Sequence, residues 1–494
     1  MLNRRGISLG LGHFDIWQWL VLFQHELLLF AGAFFLIGAL DDVLVDAVWL
    51  WLKARGKAKT PMIDRAALRD QELNGPVAVF VPAWNEADVI GDTIRHALLV
   101  WSQSDLRLYV GCYANDPNTI MAAMSAASEL AKLGDDRLRI VIHDRQGPST
   151  KADCLNRLHQ ALRDDERRVG RLFSCVVFHD AEDMVDPAAL GLLDSEIADG
   201  ADFVQIPVEP LVQPHSRWLG SHYCEEFAES HGKAMVVRSA LGASLPGAGV
   251  GCAVSRRALQ QLSRRRVDGT PFESESLTED YELGLAVAAM GGQSRFVRAR
   301  GEDGTLIATR AYFPNQLGDV VRQKTRWVHG IALQGWDRIG WQGGLVERWM
   351  RARDRRGPLT ALVLGVGYVL LVLTLALWLA QAVGAAPRLV ISPLLSTLIA
   401  LNLAAFMWRG AMRFAFTTQS YGWTEGLRAL VRIPVANVVS IMAGRRAITA
   451  YAATLLGRPV IWDKTPHFEH PASRSVLPSL GMDKGQSLLK ERPA

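Results

Sequence analysis

Cysteine is scarce in this chain and never grouped. Cys112, Cys154, Cys175, Cys224 and Cys252 are scattered over 494 residues, odd in number and without a C-x-x-C pair. That spacing excludes a disulfide framework and the usual zinc sites, and it points to reduced thiols in a reducing compartment. Strong net charge is also missing. The formal charge is only +4, so there is no general signal for nucleic acid, and the placement of the basic residues matters more than their sum. A third absence lies in the first strand-to-helix turn, which reads A-W-N-E-A-D at 83–88. A dinucleotide-binding turn needs G-x-G-x-x-G there, so a dehydrogenase of that kind is excluded. The chain has no internal repeat.

Apolar residues are plentiful. They make up 49% of the chain against 21% charged, too apolar for an ordinary soluble protein and too charged for one wholly in a membrane. Three segments, 17–40, 359–383 and 389–408, are each long enough to cross a bilayer core. The first carries Gln24, His25 and Glu26, which need an interface or a facing helix. It is too long for a signal peptide, and no small-residue cleavage site follows it. Lys53, Arg55, Lys57 and Lys59 follow the first segment. Arg348, Arg351, Arg353, Arg355 and Arg356 precede the second, and Arg409 and Arg413 follow the third. By the positive-inside rule these belong on the cytoplasmic side and outnumber Arg4 and Arg5, which oppose them. The expected organisation is a membrane helix with a basic linker over 1–60, a cytoplasmic α/β domain over 61–358 and two membrane helices over 359–408. Interfacial helices and a polar tail then occupy 409–494.

From residue 76 onward short apolar runs alternate with amphipathic stretches. Strands are expected at 77–82, 106–113, 138–143, 175–179 and 201–208. Helices are expected at 86–101, 118–133, 150–162, 216–240, 278–290, 315–336 and 427–451, the last two lying along the membrane surface. Such βα alternation implies a mostly parallel sheet with helices on both faces, and ligands bind at the carboxyl ends of its strands. Polar residues gather at those ends: Asn85 and Glu86, Asn115 and Asp116, His143 and Asp144, then Asp180, Glu182 and Asp183.

Five motifs carry chemistry. V-F-V-P-A-W-N-E (79–86) is a strand running through Pro82 into a loop that can hold a base and ribose, or is a plain capped turn. H-D-A-E-D (179–183) sets three carboxylates within four residues; their repulsion is relieved by a divalent cation on oxygen ligands, unless they serve a helix N-terminus. In T-E-D (278–280) an acid at a helix start can accept a hydroxyl proton, the bland reading being a capping box. In Q-K-T-R-W (323–327), Arg326 can pair with phosphate and Trp327 can stack on a sugar or anchor at an interface. G-P-S-T-K-A-D-C-L-N (147–156) opens a helix with Lys151, a phosphate contact or a surface lysine.

The order P-A-W-N-E, K-A-x-x-L-N, D-A-E-D, G-x-G, T-E-D and Q-x-x-R-W resembles the membrane-bound processive enzymes of glycosyltransferase family two, over about residues 75–470. The H-D-A-E-D form and the string W-D-K-T-P-H (462–467) suggest a subgroup of bacterial inner-membrane proteins. The resemblance implies a GT-A fold and Mg²⁺ or Mn²⁺ on Asp180 with Glu182 or Asp183. It implies a nucleotide-sugar, a UDP-sugar, bound by Pro82, Asn85, Glu86, Asp116, Lys151, Asn156 and Asp180. Asp280, beside Glu279, matches the general base. Gln323, Arg326 and Trp327 match the motif that closes over donor and acceptor, and Gly249, Gly251 and Arg256 fall where the acceptor is lined. The implied partners are the donor, a glycan acceptor, membrane lipid and an outer-membrane or channel protein. Two departures stand out: Glu182 replaces the second Asp of the D-x-D pattern, and strand two ends in Y-A-N-D-P. Transfer of one sugar to a lipid phosphate and a non-catalytic receptor or scaffold are the alternatives.

Overall fold

The computed structural model describes residues 15–458, 464 and 470–473. Among the described residues nine strands form in chain order: β1 Val77–Pro82, β2 Leu106–Tyr113, β3 Leu138–His143, β4 Cys175–Phe178, β5 Phe203–Gln205, β6 Val208–Pro210, β7 Cys252–Ser255, β8 Ser294–Phe296 and β9 Thr309–Ala311. Seven make one sheet in the order β3-β2-β1-β4-β7-β5-β8. Its ladders are parallel except where β7 runs against β4 and β5. β6 and β9 form a small parallel sheet of their own. This is the α/β arrangement of a GT-A domain, with the expected mostly parallel sheet.

Strand periodicity decides the two cores. Along β1, Val77, Val79 and Val81 face a cluster that includes Ile90, Ile94, Trp101 and Leu190. Ala78 and Phe80 face the opposite cluster with Leu155, Leu158 and Leu259. A period of two thus buries both faces of the strand, as a sheet sandwiched by helices requires. The five cysteines are all buried and free.

Three expected elements differ. The segment 201–208 divides into β5 and β6, in different sheets; Pro207 lies between them and has no N–H to continue a ladder. The helix expected from 86 begins at Ile90, because Asn85 takes a positive φ of 55° and the Glu86 N–H is held 2.9 Å from Thr119 Oγ1. The helix expected over 315–336 forms as one helical run over Leu317–Ile339, with a π-helical stretch at Val328–Gln334 inside it. Its Val320 and Val321 pack with Tyr223 and Val439, so it is wedged between the α/β domain and the helix Ile433–Leu455.

Among the described residues three helices are long and apolar enough to cross a membrane: Ile16–Ala54, Gly357–Ala382 and Pro393–Tyr421. The pair Trp423–Val431 and Ile433–Leu455, bent by 52°, passes the same test when taken as one, which would make four. The first helix has 39 residues, a length of ~58 Å against an apolar core of ~30 Å. It therefore runs past the predicted end at 40, because Asp41, Asp42 and Asp46 find partners on neighbouring elements. Arg356 bridges Asp41 at 2.6 Å and Asp42 at 2.7 Å. Arg353 pairs with both, Arg409 with Asp42, and Lys233 with Asp46. Several basic residues that argue for orientation are thus also structural. Gln24 Nε2 donates to Thr374 Oγ1 at 2.8 Å. The tail from 474, expected to be disordered, lies outside the described residues, as does the string 462–467 except Lys464.

Candidate active site

One cavity opens at the carboxyl ends of β1 and β4, where the topology predicts it. Six carboxylates (Glu86, Asp180, Glu182, Asp183, Glu279 and Asp280) line it against three cations, Lys151, Arg326 and Lys464. The imbalance means that the cavity favours a further positive charge.

The loop after β1 is set by its neighbours. The Asn85 N–H donates to Asp116 Oδ2 at 2.6 Å, and Asp116 also caps the helix Pro117–Lys132 by accepting from the Thr119 N–H at 3.3 Å. Asparagine tolerates the left-handed backbone required here. Asp116 and the exposed Asn85 therefore shape the loop and do not line the cavity, whereas Pro82, Trp84 and Glu86 do.

In H-D-A-E-D the turn is closed by its own side chains. Asp183 Oδ2 accepts from the His179 ring Nδ1 and from the Asp180 N–H, both at 2.9 Å. Asp183 is thus committed to the turn, and burial raises its carboxyl above the ordinary range. Asp180 and Glu182 are only partly buried and face the cavity.

T-E-D opens the helix Glu279–Ala289. Thr278 makes no side-chain cap, so the capping-box reading does not hold; a Ser276–Glu282 hydrogen bond of 2.8 Å braces the turn instead. Asp280 Oδ1 accepts from the Tyr281 N–H at 2.8 Å. A methyl on Gly249, whose φ is +78°, would lie 2.5 Å from Asp280 Oδ2 and 3.2 Å from Lys151 Nζ, so only glycine fits beside this carboxylate. Burial, acting most strongly, raises the Asp280 carboxyl above its ordinary range although Lys151 pulls it down. Glu279 is pushed up to about 8 by burial and by the charge of Asp280.

Lys151 sits at the first position of the helix Lys151–Val169, capped by Thr150. Its ammonium lies 2.5 Å from Asp180 Oδ1, 3.9 Å from Glu279 Oε1 and 3.4 Å from the Gly249 carbonyl. Burial opposes that charge, but Asp180, Glu279 and Asp280 outweigh it and hold the ammonium above its ordinary range. Gln323, Arg326 and Trp327 all reach the cavity. Trp327 packs edge-on to Tyr223 and Phe227 at 6.0 and 6.4 Å, so it is a wall of the cavity and not a membrane anchor.

Two residues assigned to the site are elsewhere. Arg256 forms a buried bidentate pair with Glu166, both contacts at 2.7 Å. The reason is the direction of β7: Cys252 lies opposite Phe178 and Ser255 opposite Cys175, so the chain moves away from the site along β7, by ~10 Å at strand rise from Cys252 to Ser255, before it reaches Arg256. Asn156 exchanges two hydrogen bonds with the Phe272 backbone, at 2.9 and 3.1 Å, and braces the loop before T-E-D without lining the cavity. Conversely, Trp84, Phe227, Phe313 and Lys464 line it without having been assigned. Lys464, 2.6 Å from Glu86 Oε1, belongs to the string W-D-K-T-P-H, so a signal for it was present. Buried Gln205 does not line the cavity but holds the loop that does: its Nε2 donates to the Val250 carbonyl and its Oε1 accepts from the Ala248 N–H, both at 2.8 Å.

The family model of glycosyltransferase like family 2 matches residues 75–330, and the chain belongs to that family. It is 33% identical over 458 residues to the bacteriophage adsorption protein B of Escherichia coli K12, and equally to bacteriophage N4 adsorption protein B of E. coli O157:H7. The matches cover 87% of this chain and 60% of each relative, so the chain spans about three fifths of their length. Among solved structures, a Pyrobaculum calidifontis mannosyltransferase in complex with GDP-mannose and Mn²⁺ is similar at 17% identity and a TM-score of 0.49, covering 84% of this chain and 99% of that one. At these values the likeness is one of outline.

Proposed function

We propose that the chain is an inverting membrane glycosyltransferase that moves a sugar from a UDP-sugar onto a growing exopolysaccharide or envelope glycan, with the catalytic domain facing the cytoplasm of a bacterial inner membrane. The observation that carries this reading is the convergence of Asp280, Lys151, Asp180 and the Arg326–Trp327 wall on one cavity at the carboxyl ends of the strands. Asp280 takes the acceptor proton as the hydroxyl oxygen attacks the anomeric carbon. The bond from that carbon to the diphosphate breaks on the opposite face, and the diphosphate departs with the electron pair. Its leaving ability removes the need for a protein acid. Arg326 neutralises the departing phosphates, and Trp327 offers an apolar face to the sugar.

The residues suit a hard divalent cation such as Mg²⁺ or Mn²⁺: oxygen donors predominate, and an ammonium already stands on Asp180 as a stand-in charge. Asp180 and Glu182 would hold the ion while Asp183 keeps the turn closed. When bound, such an ion neutralises diphosphate charge. The name of the curated relatives agrees with a product at the bacterial surface, and a channel or outer-membrane partner is part of the same proposal.

The test is UDP release by purified, detergent-solubilised protein with Mg²⁺ or Mn²⁺ across a panel of UDP-sugars. Release with one donor, reduced at least ~10²-fold in Asp280→Asn, is expected from loss of a general base. Near-normal turnover of that variant would remove Asp280 from the role, and no release with any donor would overturn the donor class.

A further inference from the structure

We infer that Lys151 is the resident counter-ion of the cation site: its ammonium holds Asp180 while no divalent ion is present, and it must give up that carboxylate when the ion enters with the donor diphosphate. The inference deepens the proposed function and rests on its assignment of the ion to Asp180.

Three observations lead to it. First, the Lys151 ammonium stands directly on the carboxylate assigned to the ion, 2.5 Å from Asp180 Oδ1, with Glu279 at 3.9 Å. An ammonium and a divalent ion on one partly buried carboxylate repel each other. Second, helix position does not explain the lysine. A cation at the first residue of a 19-residue helix works against the helix dipole; the facing carboxylates, not the helix, hold it there. Third, among the described residues no three His, Cys, Asp or Glu side chains gather as a ready metal cage. An ion that demands about six oxygen ligands must then take the rest from the diphosphate and water. The diphosphate also offers Lys151 a new anionic partner as it leaves Asp180. Ion and donor therefore bind cooperatively, each raising the affinity for the other by one shared factor. The ion alone binds weakly because it must displace a charge already in place.

The measurement is Mn²⁺ affinity, read as free Mn²⁺ by electron paramagnetic resonance on the solubilised full chain, without nucleotide and with UDP, corrected for Mn²⁺–UDP in solution. Two neutral variants, Lys151→Met and Lys151→Gln, and one charged variant, Lys151→Arg, are compared, with thermal unfolding to establish that each is folded. A folded neutral variant is expected to bind Mn²⁺ alone about tenfold or more tightly than wild type, while Lys151→Arg stays weak. Unchanged or weaker affinity in a folded neutral variant, or equal tightening in Lys151→Arg, overturns the inference. Absence of protein-bound Mn²⁺ even with UDP would instead overturn the metal assignment beneath it.

Discussion

At the scale of single residues, the site depends on which carboxylates are occupied and which face the cavity. Asp183 closes its turn, Asp116 caps a helix, and Asp280 is held with one oxygen toward Gly249 and Lys151. Burial raises Asp280, so the base stays protonated, and inactive, to a higher pH than an ordinary carboxylate. Turnover should then rise as pH increases through that raised value. A pH profile of kcat is expected to place the acid limb above the usual carboxylate pKa near ~4. A limb at or below that value would mean that the limiting base is a solvated carboxylate and not this one.

At the scale of elements, the α/β domain is tied to the bent helix pair near the C-terminal end by buried ion pairs. Arg432, fully buried at the bend between Trp423–Val431 and Ile433–Leu455, meets Glu225 at 2.9 Å and Glu425 at 3.0 Å. Glu225 belongs to the helix His222–Glu229, whose Tyr223 and Phe227 support Trp327. Removing one member of such a group strands a buried charge, at a cost of about 3–5 kcal/mol. Arg432→Met is expected to lower the unfolding temperature in detergent and, through the Trp327 wall, to weaken donor turnover in the folded fraction. Unaltered unfolding would show that the lock contributes little.

At the scale of the whole molecule, the proposed orientation places residues 61–358 in the cytoplasm. The five native cysteines are buried, which leaves a quiet background for labelling. A cysteine at the fully exposed Val267 (Val267→Cys) should resist a membrane-impermeant maleimide in intact cells and react after lysis. Reaction in intact cells would reverse the orientation.

The sequence by itself determined the βα order, the three long apolar helices and the motifs that converge on the cavity. These are local signals: period-two strands, uncharged runs, and polar residues placed just after strands. Lys151, Asp180, Asp280, Gln323, Arg326 and Trp327 were all legible in this way. Tertiary structure alone decided which carboxylate closes a turn and which faces the cavity, because that depends on partners such as His179 and Thr119. It also sent Arg256 to Glu166, since the antiparallel course of β7 is a property of the sheet and not of the G-x-G motif before it. And it brought Lys464 to Glu86 from 378 positions further along the chain, a distance over which no pattern in the sequence carries spatial information.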